Sequence, residues 1–241
     1  LSECALCDGI GLVKTDTGSR ACVCQETRRL AAGLTRARIP AGFMRATLGN
    51  FKPAAHTAGA LRAARQFVDE FVPGMRNPPM LGLLLTGTVG TGKTHVAVGV
   101  LRELVERQGI EARFVDVREL LDRLRSSYDD HAAETHGQIM RRVTGADLVV
   151  IDELGAARPS DWVFETIELL IGGLYNSNTP AIVTTNLPNL GPGAGGQATN
   201  EYARAARPET LGDRIGARMW SRLQQMCGTV EMNGPDYRGK R

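Results

Sequence analysis

The residues Gly87-Thr88-Val89-Gly90-Thr91-Gly92-Lys93-Thr94 carry the strongest chemical signal in the chain. Glycines at 87, 90 and 92 let the backbone curl so that successive amide N–H groups face a common point, which suits phosphate oxygens. Lys93 would reach the β- and γ-phosphates of a nucleotide, and the Thr94 hydroxyl would ligate Mg²⁺. Thr88, Thr91 and His95 complete the stretch expected around the bound phosphates. The lysine itself is informative. Of 29 basic residues only Lys14, Lys52, Lys93 and Lys240 are lysines, so position 93 asks for a compact ammonium rather than a guanidinium.

A second signal lies downstream. The apolar run Leu148-Val149-Val150-Ile151 ends in Asp152 and Glu153. A carboxylate at the end of a buried strand can hold the magnesium through water, and Glu153 beside it can polarise an attacking water as a general base. The competing reading is that Asp152 caps the strand and Glu153 is solvated. A third apolar run, Ala181 to Thr185, ends in Asn186, whose amide can orient the water or touch the γ-phosphate; alternatively Asn186 starts the turn before Pro188.

Four of the five cysteines form two close pairs, Cys4-x-x-Cys7 and Cys22-x-Cys24, separated by fourteen residues. Two such knuckles supply the four soft ligands of a closed, structural zinc site. Two disulfides, unpaired thiols or an iron–sulfur cluster are the alternatives. Cys227 stands alone and reads as a small core residue. Between Arg20 and Lys52, seven basic residues (Arg20, Arg28, Arg29, Arg36, Arg38, Arg45 and Lys52) face one acid, Glu26. That segment suits single-stranded DNA or an acidic protein surface, or is a solvated helix face. No aromatic residue lies among the cysteines to stack on bases.

These residues need elements to position them. The 241 residues accommodate one large domain with a small appendage, and 42% of them are apolar, enough for a core. Three regions separate by composition: a zinc-binding module over 1–24, a basic helical connector over 25–52, and an ATPase domain over 53–241. Helices are predicted at 25–38, 57–71, 92–107, 118–126, 134–143, 162–175 and 209–226, and strands at 81–86, 112–116, 148–152 and 181–185. Apolar strands alternating with amphipathic helices predict an α/β fold, a parallel sheet covered on both faces. The stretch 188–208, with glycines at 191, 193, 195 and 196, predicts an irregular loop. On the last helix Arg214, Arg218 and Arg222 would share one face. A net charge of +3 is too small to announce a nucleic-acid binder. No apolar run reaches the ~18–20 residues of a membrane span, and the polar N-terminus is no signal peptide, so no membrane partner and a cytoplasmic location are expected.

The phosphate loop, Ile151-Asp-Glu-Leu-Gly155, Thr184-Thr-Asn-Leu187 and the preceding Ile39-Pro40 and Ala46-Thr-Leu-Gly-Asn-Phe51 line up together. In these the chain resembles the bacterial replicative helicase loaders of the DnaC/DnaI type, P-loop ATPases of the AAA+ class, from about residue 39 onward. The resemblance implies slow, partner-stimulated ATP hydrolysis, self-association through ATP sites, and assembly on a hexameric replicative helicase that is placed on single-stranded DNA. It implies Asn186 as sensor, Arg218 (Arg214 as second choice) as the arginine finger offered to a neighbouring subunit, and Arg238 in Asp236-Tyr-Arg238 as a second sensor. The chain departs from the pattern at Leu174-Tyr175, where relatives commonly carry Arg-Tyr, and in the length of 188–208. Rival readings are a transposition helper ATPase of the insertion-sequence type, a P-loop small-molecule kinase, and an adaptor that ATP switches without appreciable hydrolysis.

Overall fold

The computed structural model describes residues 4–74, 81–129, 133–194 and 208–238. The N-terminal part holds an antiparallel hairpin, β1 (Leu12–Thr15) and β2 (Gly18–Ala21). Helix α1 (Val23–Ala37) follows and stops at Arg38, which adopts a left-handed conformation just before Ile39-Pro40. The hairpin was not legible in the sequence, because its residues are almost all exposed and carry no apolar alternation.

From there the expected alternation holds: α2 (Ala58–Glu70), β3 (Gly82–Thr86), α3 (Lys93–Gln108), β4 (Ala112–Asp116), α4 (Val117–Ser126), α5 (His136–Thr144), β5 (Leu148–Asp152), α6 (Asp161–Ser177) and β6 (Ala181–Thr185). Two short helices, α7 (Leu211–Ile215) and α8 (Ala217–Met226), lead into β7 (Cys227–Glu231). All strand pairs in the five-stranded sheet are parallel, in the order β4-β5-β6-β3-β7. The strands are near-continuous apolar runs because both faces are covered. Leu83 and Leu85 pack with α2 and α3 on one face, while Leu84 packs with α4, α6 and α8 on the other.

This order sets the site. The carboxyl ends of β3, β5 and β6, at Thr86, Asp152 and Thr185, lie side by side, and loops leaving them meet at one edge of the sheet. The second half of the basic stretch is packed into the core: Ala37, Ile39, Ala46 and Leu48 are buried, and Phe43 and Phe51 rest against the same cluster. Leu48 lies so close over Gly99 that a Cβ there would stand 2.8 Å from it.

Two expectations are corrected. The helix expected over 209–226 is broken at Gly216, whose backbone (φ 81°, ψ 155°) belongs to the region that favours glycine. The break separates Arg214 from Arg218 and Arg222, so the three do not share one helical face. Strand β7 was also missed; it is an edge strand of alternating burial, with Gly228 and Thr229 diluting the apolar signal. Of the stretch 188–208, residues 195–207 lie outside the described residues. Its described ends are pinned together, with Leu211 N–H donating to Pro188 O at 2.9 Å and Gly212 N–H to Leu190 O at 3.0 Å.

Candidate functional site

The loop between β3 and α3 is shaped by Gly87, Gly90 and Gly92, all at positive φ. No side chain fits at Gly92, where a Cβ would come within 2.7 Å of the Phe51 ring. Lys93 opens α3 and is buried, its ammonium donating to Gly87 O at 2.8 Å and Thr88 O at 2.6 Å. Burial brings its pKa down to about 8, against the favourable field of Asp152. A buried, easily neutralised ammonium is strongly stabilised by incoming phosphate charge.

The next residue, Thr94, donates its hydroxyl to Asp152 Oδ1 at 2.9 Å, and Thr184 donates to the same oxygen at 2.6 Å. Burial pushes the Asp152 carboxyl above the usual carboxylate range, and the two hydroxyls pull it back. A buried carboxylate beside a threonine hydroxyl fits a hard divalent cation, which would supply the charge that burial withholds. These two residues could hold Mg²⁺, which would screen and polarise a bound triphosphate. Glu153 has a left-handed backbone (φ 56°), and its N–H donates to Thr184 Oγ1 at 3.0 Å. One threonine therefore holds the Asp152 carboxylate and the backbone of Glu153. That role escaped sequence reasoning, although two threonines closing an otherwise apolar buried strand were a visible signal.

Lys93, Thr94, His95, Gly90, Gly92, Glu153 and Asn186 line one cleft of about 230 Å³, together with Phe43, Thr184, Tyr237 and Arg238. The sequence-derived residues of the phosphate loop and of the second and third strand ends thus converge. Thr88 and Thr91 do not line the cleft but brace the loop: Thr91 Oγ1 donates to Thr88 O at 3.0 Å, and Thr88 Oγ1 to Gly234 O at 2.8 Å. His95 is tied to the segment before the core, its Nε2 lying 3.0 Å from Thr47 O and 2.9 Å from Asn50 Oδ1. Both partners are acceptors, because Asn50 Oδ1 also accepts from Thr47 N–H, so Nε2 carries the proton.

After β7 the chain runs back across the phosphate loop, a path that no local pattern announced, although the resemblance implied Arg238 at the nucleotide. Met232 N–H donates to Thr86 O at 2.7 Å, Gly234 N–H to Thr88 Oγ1 at 3.0 Å, and Tyr237 N–H to Gly90 O at 3.1 Å. A Cβ at Gly90 would run into the Asp236 carboxylate.

The arginines fall into two groups. Arg214 is engaged within its own chain, donating to Ala157 O at 2.8 Å and Gly155 O at 3.3 Å and pairing with Glu209. Arg218 is exposed and pairs with Glu168 at 2.6 Å. Arg222 lies over the Tyr175 ring, 5.1 Å from its centroid, and Leu174 is buried in the core.

At the other end of the chain the four thiols of Cys4, Cys7, Cys22 and Cys24 come within 4.8 Å of one another. The Cys7 and Cys24 sulfurs lie 3.4 Å apart and those of Cys4 and Cys22 3.7 Å apart. Four sulfurs ~2.3 Å from one zinc in a tetrahedron stand about 3.8 Å apart, so the cluster fits that ion. Gly11 N–H donates to Cys7 Sγ at 3.2 Å, as knuckle backbones do for metal thiolates. None of the four is in a disulfide, and Cys227 is buried in the core as expected.

Residues 20–241 match the family model of the IstB-like ATP-binding proteins. The chain belongs to that family. It is 27% identical over 127 residues to the replicative helicase loader DnaC of Escherichia coli (strain K12), covering 53% of this chain and 49% of that protein. It is 26% identical over 160 residues to a putative ATP-binding protein in an insertion sequence of Mycobacterium tuberculosis, covering 66% of this chain and 56% of that one. The chain thus spans about half the length of the curated relatives it matches. A crystal structure of the DnaC helicase loader superposes with a TM-score of 0.64 at 28% identity, covering 80% of this chain and 99% of that one. The IstB-like core is therefore an AAA+ P-loop fold. Among the described residues no helix is long and apolar enough to cross a membrane.

Proposed function

We propose that this IstB-like protein is a cytoplasmic, ATP-hydrolysing loader that assembles on a hexameric replicative helicase and places it on single-stranded DNA. The observation that carries the reading is the breadth of the structural similarity to the DnaC helicase loader, 99% of that chain, together with a complete phosphate cleft here. In this reading Lys93 and the loop amides hold the β- and γ-phosphates, and Thr94 and Asp152 hold Mg²⁺. Glu153 activates water, and Asn186 and Arg238 sense the γ-phosphate. Arg218, exposed and not among the residues lining its own cleft, completes the site of a neighbouring copy. Arg214, spent on the carbonyls of Gly155 and Ala157, holds the loop after Glu153 in place instead.

The cysteine cluster holds one zinc ion that staples a module too small to fold on its core alone. We place the boundaries of the three regions at residues 24 and 52, with the zinc module and the basic α1 presenting the partner-facing surface. The insertion-sequence relative favours a second reading, a transposition helper ATPase. Pull-down of the host's replicative helicase by the purified protein, with and without ATP, separates the two. ATP-dependent capture supports the loader. Capture of a cognate transposase, and no helicase, supports the helper.

A further inference from the structure

We infer that Tyr237, held in place by His56, is the base-stacking residue of the cleft and makes it favour purine over pyrimidine triphosphates; this rests on reading the cleft as an ATP site. The lining falls into two chemical sets. Lys93, Thr94, Glu153 and Asn186 suit phosphate, metal and water. Phe43 and Tyr237 have no work to do for a triphosphate and offer a surface only to a planar ring.

Tyr237 is the better fixed of the two for stacking. Its N–H bonds to Gly90 O at 3.1 Å, so its backbone is fastened to the phosphate loop itself. Its hydroxyl lies 3.1 Å from His56 Nε2, and the two rings are nearly parallel, 19° apart with centroids 6.1 Å apart. His56 is confined in turn. Gly234 passes so close over the imidazole that no Cβ fits there, and the adjacent Thr57 hydroxyl accepts from Ala54 N–H at 2.9 Å, fixing the turn that carries the histidine. Tyr237, so held, lines the cleft, where its ring can receive a base. Stacking on a preset ring costs little side-chain entropy and grows with the size of the π-face, so a purine gains more than a pyrimidine. His56 touches no ligand in this arrangement and is a positioning residue.

The test is equilibrium binding, with Mg²⁺, of ATP, UTP and inorganic tripolyphosphate to the full chain and to Tyr237→Leu, Tyr237→Phe, His56→Ala and His56→Asn. Loss of one stacking ring should weaken ATP binding about tenfold. Tyr237→Leu should show that loss for ATP and a smaller one for UTP, and bind tripolyphosphate within about twofold of wild type. Tyr237→Phe should retain ATP affinity. His56→Ala should fall part of the way, and His56→Asn, which keeps a hydrogen-bonding group for the hydroxyl, should recover. Unchanged ATP affinity in Tyr237→Leu, or equal losses for ATP and tripolyphosphate, would overturn the inference, because the tyrosine would then serve only the loop. A wild-type protein that bound tripolyphosphate as tightly as ATP would overturn it as well. One that bound neither would instead overturn the reading of the cleft as an ATP site.

Discussion

Thr184→Val removes one hydroxyl and keeps the side chain's shape, and that hydroxyl holds both the Asp152 carboxylate and the Glu153 backbone. Thr184 is buried, donates to Asp152 Oδ1 at 2.6 Å, and accepts from Glu153 N–H at 3.0 Å. A hydrogen bond to a charged group contributes about 1.5–3 kcal/mol, and an N–H left without an acceptor costs roughly 1–3 kcal/mol. Asp152 keeps Thr94 as a donor, and the added methyl recovers part of the loss, so the net cost is about 2–4 kcal/mol. In a chain of this size that lowers the unfolding midpoint by roughly 5–15 °C. The pH dependence has a definite sign. Burial already holds Asp152 above the usual carboxylate range, and losing Thr184 raises it further. Its cost is therefore full where the carboxylate is ionised and shrinks as acid protonates it. Thermal unfolding followed by circular dichroism from neutral pH down to the carboxylate range reads both effects. A midpoint within about 2 °C of wild type, or a deficit that does not narrow on acidification, would refute the reasoning.

Lys93, with its pKa lowered to about 8, should make ATP affinity fall as pH rises through that value. The triphosphate favours the ammonium, so the bound pKa is higher and binding above pH 8 takes up a proton; the Kd should rise by up to about tenfold per pH unit there. Calorimetry in two buffers of different ionisation enthalpy measures the uptake, and a flat affinity across that range would contradict it. Elemental analysis should find one zinc per chain, and chelation should open the N-terminal region to protease; a metal-free chain with a resistant N-terminus would dispose of the zinc site. Arg218→Ala should lower partner-stimulated hydrolysis by roughly 10³–10⁵, and mixing it with Glu153→Gln protein should restore some turnover. Mixtures that stay inactive despite demonstrated co-assembly would confine the arginine to its own subunit.

The parts of the fold that could be read from the sequence are those where local pattern and tertiary role agree. The buried strands β3, β5 and β6 announce themselves because both their faces are covered. The phosphate loop could be read because its glycines, lysine and threonine meet a steric and chemical demand within eight residues. What escaped depends on contacts distant in sequence. The path of residues 232–238 over the loop joins Thr88 to Gly234, 146 residues apart, and Tyr237 meets His56 across 181 residues. The hairpin β1–β2 draws no stability from apolar burial, so it left no periodicity to detect. The break at Gly216 was visible as a glycine, but the arginine spacing on either side suggested continuity. The break puts Arg214 and Arg218 on different helices, and the carbonyls of Gly155 and Ala157 then engage Arg214 while Arg218 stays exposed.

The most direct test of the account is nucleotide binding and turnover by wild type, Lys93→Ala and Glu153→Gln protein in the presence of the replicative helicase and single-stranded DNA. Glu153 lies beside the Asp152–Thr94 pair with its backbone fixed by Thr184, so its amide variant keeps the cleft and loses only the base. Glu153→Gln is expected to bind ATP as tightly as wild type and to hydrolyse it at least a hundredfold more slowly, in the ~10²–10⁴ range of a lost general base. Lys93→Ala should fail to bind. Glu153→Gln turning over ATP at the wild-type rate, or Lys93→Ala retaining wild-type affinity, would contradict the account.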